Sequence, residues 1–302
     1  MSYQDAFIPA EGSISLHAWI FRPPTGDGPF PAITMAHGFG GVKYRGMQGY
    51  AERFSRAGFV VLVHDHRGFG LSGGEPRGDI DPWQQIADWR RAISFLESLD
   101  DVDADRLGIW GSSYAGGHTI VLAATDRRIR AAVAQVPTIS GFEQGLRRVP
   151  ADRKQALEEL FNDDERAQLA GKQPAYQLLN SLDPNVQAAY HSRGMAESDA
   201  HFSLPPSVEE PKYVTLRSTR KAQMYEPGAW VTRVSPTPLL MVVGRTDTVT
   251  PSDLALAAYE RALEPKRLAI FPGDHFDSYV TAFGPTSEAA TEWFCEHLSQ
   301  PA

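Results

Sequence analysis

Short apolar runs recur along the chain, and most are followed by a stretch of helical spacing. Ile14, Leu16, Ala18 and Ile20 occupy every second position, which predicts a half-buried strand over residues 13–22, with a shorter one before it at 5–9. Residues 31–36, 59–63, 107–110, 129–136, 237–244 and 267–271 are instead apolar throughout or nearly so. A strand without alternation is one covered on both faces, as in a mainly parallel sheet. Helices are predicted between the strands. One covers 47–56 and is stopped by Gly58. Another runs from Asp81-Pro82 to about 99, with Pro at its first position and a stripe of Ile86, Trp89, Ile93 and Leu96. A third begins after Gly117 with Ile120, Val121, Ala123 and Ala124, and two more cover 251–262 and 285–298. Strand–helix alternation of this kind predicts an α/β fold, a mainly parallel central sheet with helices on both faces.

The alternation stops between residues 138 and 235. Helical pieces are predicted at 153–169 and 185–195, a Pro-rich stretch at 204–211, and no sheet strand stands out. The expected organisation is therefore a core of residues 1–137 and 236–302, with 138–235 inserted as a mostly helical cap. Residues 213–225 are expected at its entrance. The acidic run Glu158, Glu159, Asp163, Asp164 and Glu165 is expected to be a solvated face.

Composition narrows the function classes. A length of 302 residues suits one domain or one with an insertion, and 42% hydrophobic with 22% charged residues is ordinary for a globular chain. A net charge of −8, with no basic stretch longer than Arg127-Arg128-Ile129-Arg130, argues against nucleic acid as a partner. No apolar run approaches membrane-spanning length, and Met1–Asp5 has neither a basic n-region nor an apolar h-region, so neither membrane nor signal peptide is expected. The single Cys295 suits a reducing, cytoplasmic location.

The chemistry concentrates where strands end. Residues 107–118 read strand, tight turn, helix, and the turn carries Ser112 and Ser113. A nucleophile elbow needs small residues two before and two after its nucleophile, because strand and helix nearly touch there. Around Ser113 those residues are Gly111 and Ala115; around Ser112 they are the bulky Trp110 and Tyr114. Ser113 is therefore the candidate nucleophile. A hydroxyl needs a base, and the base needs an acidic residue to orient it. His275 follows the strand 267–271 and Asp247 follows the strand 237–244, the places where an open α/β sheet carries its chemistry. Asp253 falls in the first turn of the next helix, and Asp65 beside Arg67 and a glycine turn suits an ion pair or the turn itself. Asp274 and Asp277 flank His275 and are expected to tune its surroundings. His118 and His297 lie within helices, and His191 and His201 within the insertion. The oxyanion formed on attack needs fixed N–H donors. These are expected from Tyr114, directly after the nucleophile, and from Phe39 in His37-Gly38-Phe39-Gly40-Gly41; Tyr44 is a less favoured donor in the same loop.

The segments HGFGG at 37–41, DHRGFGLSGG at 65–74, GSSYAGG at 111–117, GRTDTVTP at 244–251 and PGDHFD at 272–277 together resemble the α/β-hydrolase superfamily. The dienelactone-hydrolase-like and S15-peptidase-like serine hydrolases are nearest, including the fungal polyketide transferase group. The resemblance spreads over residues 30–298, and Ser…Asp…His is the order it implies. True dienelactone hydrolases carry a cysteine nucleophile where this chain has Ser113. Dehalogenases and epoxide hydrolases carry an aspartate there. The implied activity is a serine hydrolase cleaving an ester or related acyl bond of a small to medium, largely apolar substrate. Acyl transfer, as in a polyketide transferase, and C–C bond hydrolysis are alternatives on the same residues, and a ligand-binding protein that keeps the fold is the non-enzymatic one. No metal or organic cofactor is expected. The expected partner is a small-molecule substrate, with a homodimer left open.

Overall fold

Alternation within the apolar runs sorts their side chains onto the two faces of one sheet. The computed structural model describes residues 3–299; the outermost ends of the expected core, 1–2 and 300–302, lie outside them. In chain order the first half comprises β1 (Gln4–Ala10), β2 (Ile14–Phe21), β3 (Phe30–Ala36), α1 (Met47–Arg56), β4 (Val60–His64), α2 (Pro82–Glu97), β5 (Val102–Ser112), α3 (Tyr114–Thr125) and β6 (Ile129–Gln135). After β6 come α4 (Gly141–Arg148), α5 (Lys154–Leu169), β7 (Tyr176–Asn180), β8 (Ala188–Tyr190), α6 (Arg193–Asp199), β9 (Tyr213–Thr215) and α7 (Leu216–Gln223). The chain ends with β10 (Leu239–Gly244), α8 (Ser252–Arg261), β11 (Lys266–Phe271) and α9 (Phe283–Leu298).

The large sheet has eight strands in the order β1-β2-β4-β3-β5-β6-β10-β11. β1 pairs antiparallel with β2, and β2 antiparallel with β4; the remaining strands run parallel. Within β3, Ile33 and Met35 join Trp110, Val133 and Leu240 on the face covered by Tyr50 and Phe54 of α1 and Phe294 of α9. Ala32 and Ala36 point to the other face, with Leu62 and Ile109, where Trp89 and Ile93 of α2 and Ile120 of α3 cover them. Full burial of one such side chain contributes about 1.5–3 kcal/mol, so covering both faces is what commits the central strands to the interior. α2 begins as its sequence predicts: the Asp81 carboxylate accepts from Trp83 N at 3.0 Å and Gln84 N at 3.2 Å, with Pro82 at the first position.

Three expectations for the stretch between β6 and β10 need correction. Three short strands form a second sheet, β8-β7-β9, where none was predicted. Residues 185–195 are not one helix but β8 followed by α6, whose N-cap Ser192 accepts from Met195 N at 3.1 Å. Strands of three residues, as β8 and β9 are, and of five, as β7 is, carry too little of a period for the pattern to show. Nor is the acidic run wholly solvated: Asp164 is buried and accepts the N–H of Ala175 at 2.8 Å. Among the described residues no helix is long and apolar enough to cross a membrane.

The strand order also says where a ligand can enter. From β3 the chain steps to β4 on one side, and β5 then returns to pair on the other. The loops after β3 and β5 therefore part above the sheet and leave a crevice at its carboxyl edge.

Candidate active site

Ser113 sits at that crevice with φ 60° and ψ −118°, a conformation L residues seldom adopt. Strain of this kind costs about 1–3 kcal/mol and persists only where neighbours impose it. Here Ser113 N donates to Gln135 O at 2.9 Å, and Ser113 O accepts from Thr138 N at 2.9 Å. The elbow's demand for small flanking residues is visible in space. A Cβ on Gly111 would lie 2.2 Å from Ala115 O, and one on Gly116 would lie 2.9 Å from Gln135 O. Ser112 points elsewhere and bonds the Tyr279 hydroxyl.

The structure brings the three separated candidates together. His275 Nε2 lies 2.9 Å from Ser113 Oγ, and His275 Nδ1 lies 2.7 Å from Asp247 Oδ2. Asp247 Oδ1 accepts from the backbone N–H groups of Val249 and Thr250, each at 2.8 Å, so both its oxygens are held. The Thr250 hydroxyl lies 2.8 Å from Asp247 Oδ2 and 2.9 Å from Val136 O. Thr250 is a contributor the sequence reading missed; its place three residues after Asp247, where an ST or Asx turn closes, is the signal that could have found it. The loops after β10 and β11 are tied to each other as well. Arg245 N donates to Phe271 O and Thr246 N to Gly273 O, both at 3.0 Å. Asp247 and His275 are buried, whereas Ser113 is half-buried and faces a pocket.

The loop after β3 closes the other side. A Cβ on Gly38 would come 2.7 Å from Ser113 Cβ, so only glycine lets this loop lie against the serine. Phe39 follows, its ring edge-on to Tyr114 at 5.5 Å between centroids. Tyr114 is the first residue of α3, and an N–H in a first turn has no intrahelical acceptor. Tyr44 is turned away from the pocket: its ring packs edge-on against Trp19 and beneath the Lys43 ammonium.

The competing residues have other partners. Asp253 pairs with Arg147 at 2.7 Å, His118 bonds Tyr225 and Gln85, and exposed His191 bonds Ser181 O. Asp277 Oδ2 accepts the N–H of Asp274 at 2.8 Å, which shapes the turn around His275. Asp65 does form an ion pair, with buried Lys43; Arg67 pairs with Asp88 instead. Among the described residues no group of three or more His, Cys, Asp or Glu is placed to hold a metal ion.

Two cavities meet here. A small one, about 80 Å³, is lined by Ser113, His275, Phe39, Leu179, Tyr190 and Arg45, among others. A larger one, about 730 Å³, shares Phe39 and Tyr190 with it and extends under α4, α5 and β8. From the segment 213–225, Thr219, Ala222 and Gln223 line the larger cavity. Arg45 Nη1 donates to Asp199 Oδ2 at 2.7 Å, tying the loop after β3 to α6, and its other nitrogen pairs with Glu210. Burial, reinforced by Glu210, raises the Asp199 carboxyl to about 6 despite the Arg45 guanidinium beside it.

A hydrogen-bonded Ser–His–Asp set over an α/β sheet has relatives. Residues 11–277 match the family of X-Pro dipeptidyl-peptidases. The chain belongs to this S15 family. It is 33% identical to the quorum-quenching protein AidA of Acinetobacter baumannii (strain MDR-ZJ06), over 88% of this chain and 86% of that protein. It is 30% identical to a thiohydrolase of Eupenicillium brefeldianum, over 87% and 84% respectively. The crystal structure of the α/β hydrolase GrgF from Penicillium sp. sh18 superposes with a TM-score of 0.84 at 26% identity, covering 99% of this chain and all of that one. The S15 chain is thus an α/β-hydrolase-fold member of the serine hydrolase superfamily, a hydrolase or acyl-transfer enzyme.

Proposed function

We propose that the protein is a serine hydrolase that cleaves an ester or related acyl bond of a small to medium, mainly apolar substrate through an acyl-enzyme. The observation that carries this reading is the unbroken chain from Ser113 Oγ through His275 to Asp247, opening on a cavity. His275 Nε2 takes the Ser113 proton as Oγ attacks the carbonyl carbon. It returns that proton to the leaving group when the tetrahedral intermediate collapses. Asp247 keeps Nδ1 protonated and steadies the imidazolium. The N–H groups of Phe39 and Tyr114 hold the oxyanion, a contribution of about 3–4 kcal/mol per donor in comparable sites. Water, activated by the same imidazole, then releases the acyl group.

Residues 138–235 act in this reading as a cap over a core of 1–137 and 236–302, and the lone, half-buried Cys295 fits a cytoplasmic enzyme. A thioester, the bond suggested by the name of the thiohydrolase relative, and a peptide bond after proline, suggested by the family name, belong in the same substrate screen. Transfer to an alcohol is the second reading. The larger cavity gives an acceptor room beside the acyl-enzyme, and a polyketide transferase of Penicillium is among the relatives. The ratio of transferred to hydrolysed product with added alcohol separates the two. The primary test is a fluorophosphonate probe. Wild type is expected to be labelled and Ser113→Ala not; equal labelling of both, or none of the wild type, overturns the assignment.

A further inference from the structure

The two cavities hold few charges, and two of their three arginines are answered within the protein. Arg45, in the small cavity, is paired with Asp199 and Glu210. Arg153, at the exposed rim of the large one, donates to Pro184 O and Asn185 Oδ1. Arg148, at the end of α4, is different. Its guanidinium lies over the Tyr190 ring, 4.2 Å from the centroid. Among the described residues its guanidinium makes one hydrogen bond, from Nη2 to Val249 O, long at 3.5 Å. Among the described residues no carboxylate stands within ion-pair distance of it, although its neighbour Arg147 has both oxygens of Asp253 at 2.7 and 2.8 Å. Asp152 is the one acid lining the same cavity, and it is exposed and unpaired with Arg148. The C-terminus of α4 offers only about half a charge in compensation.

Half-buried at the wall of the larger cavity, the guanidinium keeps most of its five donors free of protein partners among the described residues and so available to an incoming anion. Its position says where such an anion would lie. Tyr190, on which Arg148 stacks, and Val249, whose carbonyl it touches, both line the small cavity that holds Ser113. Between them the large cavity is walled by apolar side chains such as Phe39, Ala189, Leu157 and Val149.

We propose that Arg148 is a specificity-determining residue and that the substrate is an acyl chain ending in a carboxylate. Its reactive carbonyl sits at Ser113, its apolar middle passes Phe39 and Tyr190, and its far carboxylate pairs with the Arg148 guanidinium in the larger cavity. The planar fork of arginine matches a carboxylate two bonds at a time, which the amide or methyl ester of the same chain cannot reproduce. This deepens the reading of Ser113 as the nucleophile and rests on it.

The test uses aryl monoesters of linear diacids from four to eight carbons, each beside its methyl-capped diester. At the best-fitting length, wild type is expected to favour the free acid by tenfold or more in kcat/KM, mostly through KM. Arg148→Gln should bring that ratio near one, and Arg148→Lys should keep part of it. Turnover of the capped esters and an unchanged thermal midpoint show that the variants are folded. Equal rates for acid and capped ester in wild type, or an undiminished preference in Arg148→Gln, overturn the proposal. A second arm needs no turnover: the monoacid is titrated into Ser113→Ala and into Ser113→Ala/Arg148→Gln. Tenfold weaker binding by the double variant supports Arg148 even where Ser113 chemistry fails, and equal binding overturns it.

Discussion

Two clusters of ionisable side chains occupy the same carboxyl edge of the sheet, and their surroundings differ. In one, after β5, β10 and β11, Asp247 and His275 are buried behind a half-exposed serine that faces a cavity. In the other, after β3 and β4, Lys43 and Asp65 are completely buried and bonded to each other. Lys43 N also donates to Asp65 Oδ1 at 2.7 Å, and Lys43 Nζ donates to His17 Nδ1 at 2.7 Å. His37, His64, His66 and His118 crowd beside this pair, with His37–His66 and His64–His66 centroids 4.8 and 5.2 Å apart. Both clusters contain an aspartate bonded to a basic side chain. Only the first adds a serine hydroxyl held at a strained φ and facing a cavity, the candidate nucleophile. The second anchors the loop that carries Gly38 and Phe39. Buried polar partnership is thus shared by function and scaffold, and access separates them.

The largest expected effect tests the first cluster. Asp247→Asn keeps the shape and one acceptor but allows the wrong imidazole tautomer, and the expected loss in kcat is about 10⁴-fold. Stability should move little by comparison. A loss under tenfold, measured on any ester the wild type hydrolyses, breaks the contrast.

The second cluster should answer in the opposite currency. Lys43→Met removes the cation from a fully buried pair and strands the Asp65 carboxylate, an effect of about 3–5 kcal/mol in urea unfolding. Neutralising both, in Lys43→Met/Asp65→Asn, should recover part of that loss, because the stranded charge dominates it. A single variant as stable as wild type would mean that the pair does not anchor the loop.

How far the chain announces these two clusters differs for a physical reason. Ser113, Asp247 and His275 each follow a long apolar strand, so periodicity locates the strand ends and residue type does the rest. Gly111 and Ala115 select Ser113 through a steric demand that stays local in sequence. Lys43 is a different case: a lysine in a glycine-rich loop reads as solvent-exposed, and its burial follows only from the way the loop after β3 folds over β4. The sequence around Asp65 predicts a turn or an ion pair beside Arg67. The pair exists, but long-range packing gives the partnership to Lys43. Gly70 shows the same dependence, since a Cβ there would lie 2.1 Å from Asp65 Oδ2. The small sheet of β7, β8 and β9 was missed because its strands are too short for alternation. Leu179 and Tyr190, which line the cavities, come from that small sheet, and Arg148 from α4 in the same stretch between β6 and β10, so the cavity walls are less legible than the Ser–His–Asp set.

The smallest effect per residue concerns the histidines of the second cluster. Burial holds His64 and His118 down to about 3, and pushes His66 well below its ordinary value, with neighbouring imidazoles adding to it. In the unfolded chain each titrates near 6.5. Between those values the unfolded chain binds protons that the folded one refuses, so stability rises with pH in this window. It is fully present above about 6.5 and drains away as pH falls toward 3. The limiting slope is about 1.4 kcal/mol per pH unit for each histidine, so the three together set roughly 4 kcal/mol per unit. Urea unfolding from pH 7 to 4 should show this steep decline. His66→Leu should make it shallower by about one proton, because His66 is fully enclosed and its ring nitrogens have no hydrogen-bond partner among the described residues. An unchanged slope in that variant would mean that His66 accepts a proton within the folded protein, and the second cluster would then share the proton transfer proposed for the first.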